Sequence, residues 1–354
     1  MATQGRRVAV IGAGIVAWSC AWLLQGQGHR VTLIAPEHAP AGGSLAALGV
    51  LMARVFHRTG GRAWRLRQRS LELWDQWCTQ LADRGHPLAL RRGLLLLAAD
   101  PREQQRLQHL AGERQGLEIA WWEPDRLAGL TPALPAGALG ALHSAADGQI
   151  DPRLAMAALQ ADAQAAGLER LHDQVMALER TGDRWQLRLR HGPTRRTDCV
   201  VLAAGLGSAA LLAPLGHGLA LEPVLGQAAA IRLMQAPAWN WPAAAAVWRG
   251  VNLVPRPDLL EGHGLWLGAT LEPGDQADPT ALAELRTLEG AAPPWLEQAA
   301  TVASWHGLRC RPLGQPAPVL ASPEPGLLVA TGHHRNGVLL APATAEWVLN
   351  RIEA

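Results

Sequence analysis

The sequence predicts an α/β fold with an α+β insertion: a Rossmann-like nucleotide-binding domain interrupted by a second, sheet-containing domain. Three observations predict it. The chain opens on a β–α–β unit of about 30 residues with a glycine-rich first turn. Both ends alternate strand and helix, whereas the middle is strand-rich. And 354 residues, at roughly 150 per domain, suggest two domains rather than one.

The elements follow from local pattern. Arg7 to Ile11 (RVAVI) is a short apolar, β-rich run ending at Gly12, Ile15 to Gln25 reads as a helix, and Arg30 to Ile34 (RVTLI) reads as a second strand. Residues 36–50 are Gly/Pro/Ala-rich and read as loop. Helices are expected over 62–84 and 101–115, with a strand at Leu94 to Ala98 between them. Ile150 to Ala166 reads as a helix, with Asp151 as N-cap and Pro152 at the first helical position. Strands are expected at 175–179, 185–190, 200–203, 221–233, 251–254, 264–270 and 327–330, with helices at 279–290 and 341–353. Ala243 to Ala246 reads only as a local alanine run.

Composition bounds the chemistry. All 32 basic side chains are arginine, tyrosine is absent, Phe56 is the single phenylalanine, and there are 15 tryptophans. Without lysine there is no Schiff-base lysine and no P-loop lysine. Without tyrosine there is no phenol to act as an acid or to bind a substrate. Net charge is +2. The series Arg54, Arg58, Arg62, Arg65, Arg67 and Arg69 is read as the solvated face of an amphipathic helix rather than a nucleic-acid patch. Four cysteines, far apart and without CxxC, argue against a disulfide framework and suit a reducing cytoplasm. The histidines show no metal-ligand spacing, so no metal is expected. No signal-peptide h-region or membrane-spanning run is visible, so a cytoplasmic protein without membrane or nucleic-acid partners is expected.

Gly12-Ala13-Gly14-Ile15-Val16-Ala17 is GxGxxA, a variant of the dinucleotide fingerprint. The first glycine allows a tight turn. The second lets the backbone approach a pyrophosphate on the helix N-terminus, and Ala17 is small enough for helix–strand packing. The carboxylate that normally closes the second strand is missing: Ala35 holds its place, with Glu37 two residues on. Either Glu37 swings in, or the ribose is held otherwise.

Four segments, in order along nearly the whole chain, resemble the FAD-dependent D-amino acid oxidase family, specifically its glycine oxidase branch. They are the N-terminal unit with GGSLAALGVL; DGQIDPRLAMAALQADAQAAG with QVMALE; DCVVLAAGLGS with PVLGQ; and VNLVPRP…GLWLGATLEPGD with GLR and TGHHRNGVLLAPAT. The resemblance implies FAD as cofactor and a discontinuous FAD-binding domain over 1–88, 141–220 and 307–354, with residues 89–140 and 221–306 forming the substrate-binding domain. It places cofactor contacts on Gly12, Gly14, Ile15 and Val16; on Ala35, Pro36 and Glu37; and on Gly43, Ser44, Leu48, Gly49 and Val50. Further contacts fall on Val175, Gly205, His333, His334, Arg335, Asn336, Gly337, Val338 and Leu339.

The resemblance also implies that Arg309 binds the substrate carboxylate and that Arg335 lines the same pocket, a guanidinium fork being matched to a carboxylate. Arg311 competes with Arg309, since the family's Arg-Pro-x-Thr-x-Asp here reads Arg-Cys-Arg-Pro-Leu-Gly-Gln. Asn252 stands where the family has a substrate-binding tyrosine and is expected to offer its amide nitrogen instead; Leu271 is expected on the pocket wall. His333 and His334 are read as shaping the loop rather than as general bases. No covalent-flavin cysteine is recognisable, and Cys310 is only a remote candidate.

The implied reaction is oxidation of glycine or a small amino acid or amine. Hydride passes from Cα to flavin N5, giving an imine and, with O2, H2O2, in a route that can serve thiazole synthesis for thiamine. Two alternatives share the scaffold: an FAD amino acid dehydrogenase with an acceptor other than O2, and a non-catalytic flavin-binding paralogue. A homo-oligomer is left open.

Overall fold

The computed structural model describes residues 5–37 and 42–354. Residues 38–41 of the expected 36–50 loop lie outside the described residues, and Gly43–Ala46 form a short helical turn in the remainder.

A six-stranded sheet carries the opening unit. Its order is Val319–Glu324, Leu327–Thr331, Cys199–Leu202, Arg7–Ile11, Arg30–Ala35 and Glu169–His172. All pairs are parallel except the antiparallel edge strand Val319–Glu324. The central strands are buried throughout, as a parallel sheet covered on both faces requires. Helix Ile15–Gly26 packs between helices Pro152–Ala165 and Gly337–Glu353 on one face.

The aromatic content of this core is almost entirely indole. Trp22 meets Trp77 edge-on, with ring centroids 4.6 Å apart, and donates from Nε1 to Asp162 at 2.6 Å. Trp74 is fully buried and donates to the Val338 carbonyl at 3.0 Å, tying helix Gly61–Asp83 to the start of the C-terminal helix. Buried indoles keep a partner for the N–H.

The second sheet has ten strands, with a main path of Glu272–Pro273, Leu221–Arg232, Gly264–Gly268, Val251–Arg256, Ala245–Trp248, Leu90–Leu97, Ala141–Ile150 and Val50–Leu51. The segment expected to resume the nucleotide domain at 141 thus begins on a strand of this sheet. Ala141–Ile150, Ala245–Trp248, Ala300–Pro312 and Val319–Glu324 were not expected as strands. Ala245 and Ala246, the second half of the alanine run, open strand Ala245–Trp248 because the sheet buries all four residues of that strand, and burial overrides alanine's poor β-propensity. Ala300–Pro312 is mostly exposed and shows no buried alternation to read. The indole cluster Trp239, Trp241 and Trp295 packs under this sheet, with centroids 5.0 to 6.5 Å apart.

One buried ion pair joins the two parts. Asp151 caps helix Pro152–Ala165, accepting from the Arg153 N–H at 2.9 Å. Its other oxygen meets Arg256 at 2.9 Å. Arg256 lies over the Trp266 ring at 3.7 Å and also pairs with Asp258.

Candidate active site

A continuous cavity of about 1970 Å3 runs from the glycine-rich turn into the larger sheet. Ordinary small-molecule pockets occupy roughly 300–1,000 Å3, so this one has room for a dinucleotide and a small substrate together. Every cofactor residue expected from the sequence lines it except Ile15. The Ile15 side chain is buried in the core, and its backbone N–H donates to Ser44 Oγ at 3.0 Å.

The first-turn geometry fits a pyrophosphate. Helix Ile15–Gly26 has Gly14 as N-cap, no capping side chain and no acid in its first turn. Gly14 and Val16 line the cavity at this helix start; Ser44 Oγ takes the Ile15 N–H, and the other leading N–H groups, without a side-chain cap, favour an anion. Gly12, at φ 130°, lies so near strand Cys199–Leu202 that a Cβ would sit 2.3 Å from the Ala203 carbonyl oxygen. Glu37, Arg170 and Asp173 line the cavity beyond the second strand. Arg170 Nε is buried without a partner, so a second polar group besides Glu37 is available where the closing carboxylate is missing.

The C-terminal segment supplies a second uncapped helix start. Strand Leu327–Thr331 ends at Gly332, a short turn spans His334–Asn336, and helix Gly337–Glu353 begins with no side-chain cap and no acid in its first turn. Gly337, Val338 and Leu339 line the cavity here. His334 holds the turn at φ 50°, a left-handed conformation that non-glycine residues adopt at a cost. His333 points back into the protein: its Nε2 lies 2.9 Å from Thr344 Oγ1. Burial, and then the charge of Arg62, push its pKa down to about 4. His334 is also held near 4, by burial and then by Arg309, Arg335 and Arg311; its Nε2 is buried without a partner. Both imidazoles are neutral at neutral pH.

His333 makes a pH-dependent contribution to stability. Its folded pKa lies below the unfolded value of 6.5, so the unfolded chain binds more protons at acid pH. The stability it contributes is therefore present above about pH 6.5 and lost as pH falls toward 4. Going from pH 8 to pH 5 is expected to cost about 2 kcal/mol through this residue. Urea unfolding of wild type and His333→Asn at both pH values checks this: the variant should lose less. Equal losses would sink the assignment.

Arg309 lies in the cavity wall, half-buried. Its Nη1 donates to the carbonyls of Leu225 at 3.0 Å and Thr270 at 3.1 Å. The guanidinium lies flat on Gly226: a Cβ there would be 2.2 Å from Nη2 and 2.4 Å from Cζ. Burial and then Arg335 pull its pKa down to about 10, against the opposing pull of Glu272, so it is charged at neutral pH. Nε and Nη2 form no hydrogen bond among the described residues. Arg335 is exposed and lines the same cavity. Arg311, the competitor, pairs with Glu222 and does not line it.

Asn252 lines the cavity, and its Nδ2 donates one N–H to the Gly268 carbonyl at 2.9 Å. One of its two N–H donors is therefore taken by the neighbouring strand, and Oδ1 is buried without a partner. Leu271 lines the cavity and is 56% exposed, as a wall residue would be. Cys310 also lines it, and burial pushes its thiol pKa up.

The arginine series is not a uniform solvated face. Arg69 pairs with Glu346 at 2.7 Å, and Arg67 is buried in the cavity wall. Sequence reasoning also missed Gly226 and Thr270, whose proximity to Arg309 arises only from strand pairing.

The family model for FAD-dependent oxidoreductases, DAO, matches residues 7–351. The chain belongs to the DAO family. Its cofactor is therefore FAD, and it is an FAD-dependent oxidoreductase. Among its curated relatives, this DAO-family protein is 31% identical to glycine oxidase of Geobacillus kaustophilus, covering 98% of this chain and 92% of that protein. It is 32% identical to glycine oxidase of Pseudomonas aeruginosa, covering 96% and 93%. It also matches the bifunctional protein ThiO/ThiG of a Nostoc species, at 27% identity over 98% of this chain and 52% of that protein. The crystal structure of the Geobacillus enzyme superposes with a TM-score of 0.87 at 28% identity, covering 98% of this chain and 95% of that one. No helix among the described residues is long and apolar enough to cross a membrane.

Proposed function

We propose that this protein oxidises glycine or another small amino acid or amine, using O2 as acceptor and releasing H2O2, and that its imine product serves thiazole synthesis for thiamine. The observation that carries the reading is Arg309, a charged guanidinium fixed in the wall of the cofactor-sized cavity with two donor positions free. The match to glycine oxidases supports the substrate class, and the match to ThiO/ThiG supports the pathway.

The first-turn residues Gly12, Gly14 and Val16 would hold the pyrophosphate of FAD, and the N–H groups at Gly337 to Leu339 would face its flavin end. FAD supplies the two-electron acceptor. Arg309 binds the substrate carboxylate through Nε and Nη2, and Arg335 adds a second positive charge. The carbonyls of Leu225 and Thr270 keep Nη1 from turning away, so the carboxylate meets a preset geometry. His333 and His334, with pKa values held near 4, are weak bases at neutral pH. The amine proton goes to solvent before Cα–H is cleaved, and the side chains contribute orientation.

Incubation of the purified holoenzyme with a panel of small amino acids tests this. H2O2 should appear, with glycine, sarcosine or a small D-amino acid as substrate, and anaerobic addition of the same compound should bleach the flavin. Bleaching without H2O2 in air would point to another acceptor. A flavin that no amine bleaches would overturn the enzymatic reading.

A further inference from the structure

The cavity has a second cationic end. Met52, Val55, Phe56, His57, Arg67 and Arg106 line it there. Arg67, in the first turns of helix Gly61–Asp83, is 7% exposed. Its Cζ lies 3.8 Å from the Phe56 ring centroid, and Nη1 donates to the Ala63 carbonyl of its own helix at 3.2 Å. Nε is buried without a partner. No carboxylate lies within ion-pair distance of Arg67 among the described residues. Burial is the cause that lowers its pKa, to about 10, so the group stays charged.

The surroundings add further positive charge, opposed at Arg106 by Glu103 and at Arg114 by Asp147 and Glu113. The Phe56 ring also meets His57, with centroids 4.3 Å apart. The His57 pKa is lowered by burial and then by Arg58, Arg67, Arg106 and Arg114. Arg114 is 1% exposed, donates to the carbonyls of Phe56 and Arg58, and keeps Nε and Nη1 without partners. Arg106 meets Glu103, on its own helix, at 3.3 Å. Asp147, the buried acid of the region, spends its oxygens on the backbone N–H groups of Ala53, Arg54 and Val55. A buried guanidinium with no counter-ion is costly unless an anion completes it.

We propose that this end of the cavity is a second anion subsite, in which Arg67 and Arg106 hold the distal acidic group of an amine substrate whose α-carboxylate sits at Arg309. The proposal rests on the Arg309 reading above. The anion is small and arrives through the cavity, because Arg67 is closed to the outer surface. It is not the cofactor pyrophosphate, which has its own helix start at Gly14. Met52, Val55 and Leu96 give the wall an apolar stretch that suits a methylene linker. The substrate class is therefore a dicarboxylic amine, with glycine as its shortest, half-anchored analogue.

Titration of the holoenzyme with α,ω-dicarboxylates from malonate to adipate, beside monocarboxylates of equal length, tests this through the shift in flavin absorbance. One dicarboxylate should bind about tenfold or more tighter than its monocarboxylate match. Arg67→Met and Arg106→Gln should each remove that advantage and leave acetate binding unchanged. Arg106 is exposed, so its replacement keeps the test open should Arg67→Met fail to fold. Absence of any dicarboxylate advantage, or its survival in both variants, overturns the proposal. Acetate binding that ignores Arg309→Ala would overturn the Arg309 reading instead, and the Arg67 comparison would still stand.

Discussion

Arg309→Ala is expected to weaken the binding of acetate or glycolate to the holoenzyme by roughly 10- to 100-fold, the range of a charge-assisted bidentate contact. FAD content should be unchanged, because the guanidinium bonds carbonyls of the larger sheet rather than the glycine-rich turn. Gly226 makes the prediction sharper. A methyl group there would lie 2.2 to 2.4 Å from the Arg309 guanidinium, so that group has to move or the strand has to shift. Gly226→Ala should thus weaken the same ligands in wild type and have little further effect in the Arg309→Ala background. Such non-additivity identifies residues that act through one contact. Additive losses would mean that Gly226 matters for the sheet and not for the guanidinium. Absorbance titration of the four proteins gives the answer without turnover.

Gly12→Ala is expected to have the largest effect on the cofactor. The position has φ 130°, and the added methyl would collide with the Ala203 carbonyl, 2.3 Å away, just past the end of the neighbouring central strand Cys199–Leu202. Neither backbone can yield cheaply, and a loss of about 2–4 kcal/mol together with FAD-free protein is expected. Gly14→Ala is the control. Its methyl would meet Ser44 Oγ at 3.1 Å, the end of a side chain that can turn. That variant should fold and bind FAD more weakly. Thermal melts with and without added FAD, and the flavin-to-protein absorbance ratio, separate the two. Equal behaviour of the variants would refute the close-approach argument.

What the sequence disclosed was local. GxGxxA reads correctly because turn, helix start and strand lie within one unit, and Asp151-Pro152 reads as a helix start for the same reason. The C-terminal loop residues named from the resemblance line the cavity. Long-range pairing hid the rest. The bond that takes one Asn252 N–H was hidden because nothing local shows that Gly268, sixteen residues on, presents its carbonyl to it. Arg67 looked like one more solvated arginine because its burial depends on Phe56, in a loop before the helix. Gly226 stood out only as part of PVLGQ: its contact with Arg309 comes from the register that sets Val224 against Arg309.

The Asp151–Arg256 pair bears on how the molecule opens. Asp151 belongs to the nucleotide-side helix, and Arg256 to the strand that carries Asn252. Arg256 is 5% exposed and pressed against an indole. A hinge between the two halves would have to part this pair, leaving Arg256 to Asp258 alone and Asp151 to the N–H groups of its helix start. The pair thus ties the nucleotide-side helix to the substrate-side strand at the place where cofactor and substrate walls meet.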